Sequence, residues 1–288
     1  MAIRKILVLL DGSDAAKPAL DAAFMAGRNF CAHVDVVHVR SDPRDILPLL
    51  SDDVSGLMVE DMIGLADKEA GERAIRARRM FDEICARYAV AVTDEAANRN
   101  AISASWIEMT GGEDELSERR GRLVDLIVAG RPTADGDPSM TMNLHAAIFE
   151  SGRLVLVAPP KAPVALGRKV AVSWNGSAQA ARAVASAMPV IKAAEEVLIL
   201  SAESERTSSG AASELAGYLA WHGVAALTKA VRLTARPVGE AILEECADAG
   251  IDVLVMGAYT HSRMRQLVLG GVTRHMLENA EISLLMAH

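Results

Sequence analysis

The stretch with the clearest chemical potential runs from Val253-Leu254-Val255-Met256 through Gly257, Ala258, Tyr259, Thr260, His261, Ser262 and Arg263 to Gly270-Gly271-Val272-Thr273. Residues 252–256 are a short β-rich apolar run, suited to a strand buried on both faces, and Gly257 falls where the backbone must turn. Gly270 and Gly271 precede a helical pattern of Val272, His275, Met276 and Asn279, so unpaired backbone N–H groups at the helix start would face whatever lies beyond the strand end. An anionic ligand fits such a cradle. His261, Arg263 and Arg265 lie in the same loop, and Arg263 is the cation best suited to meet a phosphate. The competing account is that paired glycines only let a loop turn back into a helix.

Other chemistry finds less support. The seven histidines show no HxH or HExxH spacing, so no metal site is expected. Ser13 and Ser177 each follow a glycine after a strand, but neither sits in a GxSxG elbow, and helix N-capping accounts for both. Neither Walker motif is present, which argues against an ATPase of that type. Cys31, Cys85 and Cys246 are far apart and form no CxxC, so they read as buried thiols.

The elements that must position these residues come from an unusual composition. Of 288 residues, 51% are apolar but only 3% aromatic, so the core is built from Ala, Val, Leu, Ile and Met, as suits helices on a parallel sheet. The length suits two domains. Net charge is −8, and the excess lies in residues 1–160, which hold 18 Lys and Arg against 26 Asp and Glu; residues 161–288 hold 12 of each. No Lys/Arg run interleaved with aromatics appears, so nucleic acid is not an expected partner. No apolar run is long enough to span a bilayer, and residues 1–10 lack a signal-peptide cleavage pattern; a cytoplasmic protein is expected, with no membrane partner.

Residues 3–10 read as a strand ending in Asp11-Gly12-Ser13-Asp14, followed by a small-residue helical face at Ala15, Ala19, Ala22, Ala23 and Ala26. Residues 33–39 are a second strand, residues 42–65 an insertion of unreadable form, and residues 66–88 a long charged helix. A strand is expected at 103–110, a short helix at 113–122, a strand at 123–129, a Pro/Gly/Asp loop at 131–139, a helix at 140–149 and a strand at 154–157. Alternating β and α with short connections predicts a doubly wound parallel sheet.

Ala158-Pro159-Pro160-Lys161-Ala162-Pro163 then breaks the pattern and reads as a linker. After it the order repeats. Residues 170–174 with Asn175-Gly176-Ser177 repeat 7–10 with Asp11-Gly12-Ser13; residues 197–201 repeat 33–39; residues 252–257 repeat 125–130; residues 283–286 repeat 154–157. An internal duplication is the economical explanation, with domains at 1–158 and 164–288.

On these residues the chain resembles a tandem universal stress protein, over nearly its whole length. Val172-Ser173-Trp174-Asn175-Gly176-Ser177 with its Ala-Arg-Ala-Val helix, and Met256-Gly257-Ala258-Tyr259 onward to Gly270-Gly271-Val272-Thr273-Arg274-His275, carry the likeness. Nucleotide-binding members of that family carry Gly, two residues, Gly, nine residues, Gly, then Ser or Thr. Here Gly257 and Gly270 match, Thr260 replaces the second Gly, and Gly271 replaces the Ser or Thr. The resemblance implies two similar five-stranded parallel α/β units, Rossmann-like in tandem, binding ATP or another adenine nucleotide in some members and nothing in others. It places an acidic residue after the first strand near the adenine or ribose: Asp11 in the first unit, Asn175 in the second. It places Val39 and Ala202 against the base, and Gly257, Thr260, Gly270, Gly271, Val272 and Thr273 about the phosphates, where the loop cation Arg263 would join them.

The first unit has Gly130-Arg131-Pro132-Thr133 but no later paired glycines, so the glycines point to the second unit. The expected function is binding of ATP, AMP or another small acidic metabolite in a stress response, without catalysis. The alternatives are a dimerisation and interaction platform with vestigial pockets, and a slow ATPase. The last strands of the two units, 154–157 and 283–286, are edge strands that need covering, and the family pairs such strands across a two-fold axis; one chain can do so internally, as a pseudo-dimer. A further homodimer is left open.

Overall fold

A computed structural model describes residues 2–40, 56–95, 100–110, 119–132, 138–202, 210–232, 236–258 and 271–288. The chain runs β1 (Lys5–Leu9), α1 (Lys17–Phe30), β2 (His33–Arg40), α2 (Gly56–Tyr88), β3 (Ala91–Val92), β4 (Ser103–Thr110), β5 (Leu126–Ala129), α3 (Pro138–Glu150) and β6 (Leu154–Val157). It continues with β7 (Lys169–Ser173), α4 (Ala178–Ala193), β8 (Glu196–Ala202), α5 (Ala211–Trp221), β9 (Leu227–Val231), α6 (Val238–Asp248), β10 (Val253–Gly257), α7 (Gly271–Asn279) and β11 (Ser283–Ala287).

The two parallel sheets expected from the sequence are joined edge to edge into one sheet of eleven strands, in the order β3-β4-β2-β1-β5-β6-β11-β10-β7-β8-β9. Every ladder within a half is parallel; the join is the antiparallel pair β6 and β11, with Leu284 opposite Val157, Leu285 opposite Leu156 and Met286 opposite Val155. Both strands are buried throughout, as a strand covered on two faces and paired on two edges must be. The first half adds the two-residue β3 to the five strands expected of it.

Helices cover both faces because the inward stripes are small. Ala19, Ala22, Ala23 and Ala26 of α1 are almost wholly buried, as are Ala183 and Ala187 of α4, and these bring the helix backbones close to the sheet. They join α2 (Ala77, Phe81, Ile84) and α5 (Leu215, Leu219) in one core. The opposite face carries a second core from α3 (Leu144, Ala147, Ile148), α6 (Ala241, Ile242, Cys246) and α7 (Met276, Leu277).

The duplication extends to side-chain roles. Asp125 accepts hydrogen bonds from the backbone N–H groups of Arg4 and Lys5 at 2.8 and 3.0 Å. Asp252 does the same for Gly167, Arg168 and Lys169, the last two at 3.0 and 2.8 Å. Each carboxylate therefore pins the start of its half's first strand. The join has a feature without a repeat: Arg131, 7% exposed, donates through Nη1 to the Ala280 carbonyl and through Nη2 to that of Ile282 across the seam. Burial pushes its guanidinium down to about 10, against a weaker opposing pull from Glu281.

Several sequence expectations shift. Residues 56–65, unreadable in the sequence, begin α2, which runs for 33 residues, or about 50 Å at 1.5 Å per residue. The expected helix at 113–122 falls mainly outside the described residues. β9 carries no strand expectation in the sequence; four of its five residues are exposed because it lies at the sheet edge.

Candidate functional site

In parallel α/β sheets the strand carboxyl ends are where loops converge and ligands sit. The two halves build this end differently. In the first half, a narrow cleft of about 50 Å³ opens between the ends of β1, β2 and β5 and helix α3. Leu9, Leu10, Asp11, Val37, Val39 and Ile127 to Gly130 form its sheet side, and Met140, Asn143, Leu144 and Ala147 its helix side. Asp11 and Val39 are thus brought together, as the resemblance implies. The Asp11 carboxylate is already committed: Oδ1 accepts from Ser13 N at 2.8 Å and Oδ2 from Ser13 Oγ at 3.0 Å. It closes an Asx turn.

That turn is also roofed. Gly12 has φ +82°, and a Cβ there would come 2.5 Å from the Arg73 carbonyl oxygen of α2. Only glycine fits, on both conformational and steric grounds.

In the second half no described residue roofs the same turn. Asn175 Oδ1 accepts from Ser177 N at 3.1 Å, repeating the Asx turn, and Ser177 Oγ caps α4 by accepting from Ala180 N at 3.1 Å. Ser177 is therefore the N-cap expected of it. Gly176 has φ +70°, yet a Cβ there would meet nothing within 4 Å among the described residues. Asn175 is exposed and its Nδ2 makes no hydrogen bond among those residues.

The remaining second-half residues divide. Ala202 ends β8 and Gly257 ends β10, strands that flank β7 at the same edge of the sheet. Gly257 answers to packing: a Cβ would lie 2.5 Å from Ala180 N and 2.7 Å from the Gln179 carbonyl carbon, so its bare backbone lets β10 meet the first turn of α4. Gly271 opens α7, is exposed, and has free space at its Cβ position among the described residues. Val272 packs against the second core and Thr273 is buried at 4%, so neither side chain is presented at the surface as a ready phosphate donor. Thr260, Arg263 and Gly270 lie outside the described residues.

Sequence reasoning missed Met140 and Asn143 on the wall of the first cleft. The signal available was a polar Asn inside the apolar helix of residues 140–149, whose register against β5 the sequence alone does not fix. Among the described residues no group of three or more His, Cys, Asp or Glu could hold a metal ion. No helix among them is long and apolar enough to cross a membrane.

A duplicated doubly wound α/β sheet, with an Asx turn after each first strand and glycines at the later strand ends, defines a class of tandem α/β proteins. Residues 2–136 and 168–288 each match the model of the universal stress protein family, and the chain belongs to that family. Among solved structures, a universal stress protein from Archaeoglobus fulgidus aligns over 98% of this chain and 97% of its own at 16% identity and a TM-score of 0.64. A functionally unknown protein from Pseudomonas aeruginosa PAO1 aligns over 99% of this chain and 92% of its own at 14% identity and a TM-score of 0.58. At such identities these likenesses show the fold alone. No curated protein matches the sequence.

Proposed function

We propose that the second half of this protein binds an adenine nucleotide, ATP or AMP, at the carboxyl ends of β7, β8 and β10, as a stress-response protein without rapid turnover. The observation that carries this reading is the Asn175-Gly176-Ser177 turn, uncovered among the described residues, set against the first half's equivalent, whose glycine touches the α2 backbone. Asn175 offers an amide able to donate and accept toward a base or ribose. Ala202 offers an apolar contact, and the N-terminus of α7 at Gly271 a helix start suited to phosphate. Domains at 1–158 and 164–288, held as an internal pseudo-dimer through β6 and β11, are part of the same proposal.

Isothermal titration with ATP and AMP tests it. Gly271→Val places a branched side chain at the helix start where the described residues leave room, and should weaken binding about tenfold or more, equivalent to about 1.4 kcal/mol. Asp11→Ala in the first half should leave the titration unchanged. A second reading, an interaction platform with vestigial pockets, draws on the buried Thr273 and on the prior engagement of Asp11 and Asn175 in their turns. Wild-type protein giving neither heat nor a thermal shift at millimolar nucleotide would establish that reading instead.

A further inference from the structure

At the amino ends of β1, β2 and β4, on the sheet face of the second core, lies a polar cleft of about 610 Å³. It sits at the opposite end of the strands from Asp11, roughly 20 Å away along β1 at about 3.3 Å per residue. Strand register assembles its floor: Lys5 pairs with His33, and His33 with Ser103. The two-residue period then puts Asp35 and Ser105 on the same face.

Ser103 Oγ lies 2.8 Å from His33 Nδ1, and His33 Nε2 lies 3.1 Å from Asp35 Oδ1. Asp35, only 3% exposed, also accepts from Ser105 Oγ at 3.1 Å and pairs with Lys5 Nζ at 3.0 Å. Burial pushes its carboxyl up, but the hydrogen bonds and charges of His33 and Lys5 together outweigh burial and leave it below the ordinary carboxylate range. With an ionised acceptor facing Nε2, the neutral form of the imidazole carries its proton there and turns the Nδ1 lone pair toward the Ser103 hydroxyl. Lys5 and Ser105 already provide partners for the buried carboxylate. Ser103, on the far side of the imidazole, adds nothing to Asp35, so satisfaction of a buried charge does not explain its placement.

We propose that Ser103, His33 and Asp35 form a nucleophilic relay that takes a small carboxylic ester from this cleft. His33 Nδ1 accepts the hydroxyl proton as Ser103 Oγ bonds to the carbonyl carbon. The carbon–oxygen bond to the alcohol then breaks, and the imidazolium returns the proton to the departing oxygen. Water attacks the acyl-serine with His33 again as base, releasing the carboxylic acid and restoring Ser103. Lys5 Nζ, partly exposed, stays paired with Asp35 on the side of the imidazole away from Ser103, where it helps hold that carboxylate ionised as the imidazolium forms. The second half has no equivalent: by register Glu196, Leu198 and Leu227 stand where His33, Asp35 and Ser105 stand.

A fluorophosphonate probe on the full-length protein, read by intact mass and peptide mapping, tests the relay. One adduct on Ser103 is expected, absent in Ser103→Ala and about 100-fold slower to form in His33→Gln. Hydrolysis of p-nitrophenyl acetate should fall in the same order, while wild-type thermal unfolding in Ser103→Ala shows the loss to be chemical. An unlabelled protein, an adduct elsewhere, or labelling at an unchanged rate in His33→Gln would overturn the proposal. Nucleotide titration of Ser103→Ala reports on the carboxyl-end site separately, so the two readings can fail independently.

Discussion

The two halves share a skeleton and differ at their ends. In the first, α2 runs for 33 residues and lays its backbone against Gly12; in the second, α5 has 11 residues and the matching Gly176 faces open space among the described residues. Conversely, the amino ends of the first half's strands carry half-buried His33 with buried Asp35 and Ser103, where the second half has Glu196 and Leu198. Features that hold the sheet together repeat: the strand-pinning Asp125 and Asp252, and the ladder continuation of Leu10 N to Val37 O and Trp174 N to Leu200 O. Duplication thus preserved the parts each half needs to fold and freed the two strand ends to diverge.

The sharpest break between the halves should come at two glycines, Gly130 just after β5 and Gly257 at the end of β10. A Cβ at Gly257 would meet the backbone of α4 at 2.5 Å, whereas one at Gly130 would meet the flexible Met140 methyl at 2.9 Å. Gly257→Ala should therefore cost about 3 kcal/mol and Gly130→Ala under about 1 kcal/mol, because a thioether end can swing aside and a helix backbone cannot. Urea midpoints for the two variants give the comparison; equal losses would show that the halves do not differ there.

Next in size is the pair of pinning carboxylates. Asp252 accepts from three backbone N–H groups and Asp125 from two. With each charged hydrogen bond worth about 1.5–3 kcal/mol in part-buried settings and discounted here for exposure, Asp252→Ala should lose about 2 kcal/mol and Asp125→Ala about 1 kcal/mol. Denaturant unfolding with fluorescence and circular dichroism together would also show whether the halves unfold as one through the β6 and β11 join.

Much of this architecture was legible in the sequence because the central strands are buried on both faces and so read as plain apolar runs. Residues 154–157 and 253–256 needed no more than that, whereas the pairing of the two edge strands was implied by the family resemblance and not by the residues themselves. β9 was not legible: Leu-Thr-Lys-Ala-Val at a sheet edge has four exposed positions, so burial imposes little pattern. The candidate site was half legible. Asp11, Asn175 and the glycines stand out by type, but the role of Gly257 depends on a contact with Gln179 and Ala180 some 77 residues earlier in the chain. The relay was missed because Ser103 meets His33 only through the β2–β4 register; the trace it left was His-Val-Asp and Ser-Ala-Ser alternation inside otherwise apolar strands.

A smaller effect should separate the halves under acid. Asp35 has its folded-state pKa below the ordinary value of 3.8, so its hydrogen bonds stabilise the native state above that value, and the contribution is lost as pH falls through the folded value. Wild type should lose stability more steeply below about pH 4 than Asp35→Asn, with the two curves converging at the acid end. Since Leu198 occupies that place in the second half, Leu198→Ala should shift the whole curve without changing its acid slope.

The smallest difference is in the thiols. Burial pushes Cys85 up to about 11 and Cys246 up to about 12, with nearby Asp82 and Glu245 adding to the rise. At pH 8 their thiolate fractions are then about one in a thousand and one in ten thousand, and both side chains are shielded from a bulky reagent. Cys31 is only half-buried, ends α1 in the left-handed region at φ 50°, and lines the polar cleft beside His33. Native protein with an aromatic disulfide reagent should release one equivalent promptly, from Cys31 in the first half, and two more only after denaturation. Cys31→Ser should abolish the fast phase. Prompt release from Cys246 would mean that α6 opens readily from the sheet, and the second half would then be the looser of the two.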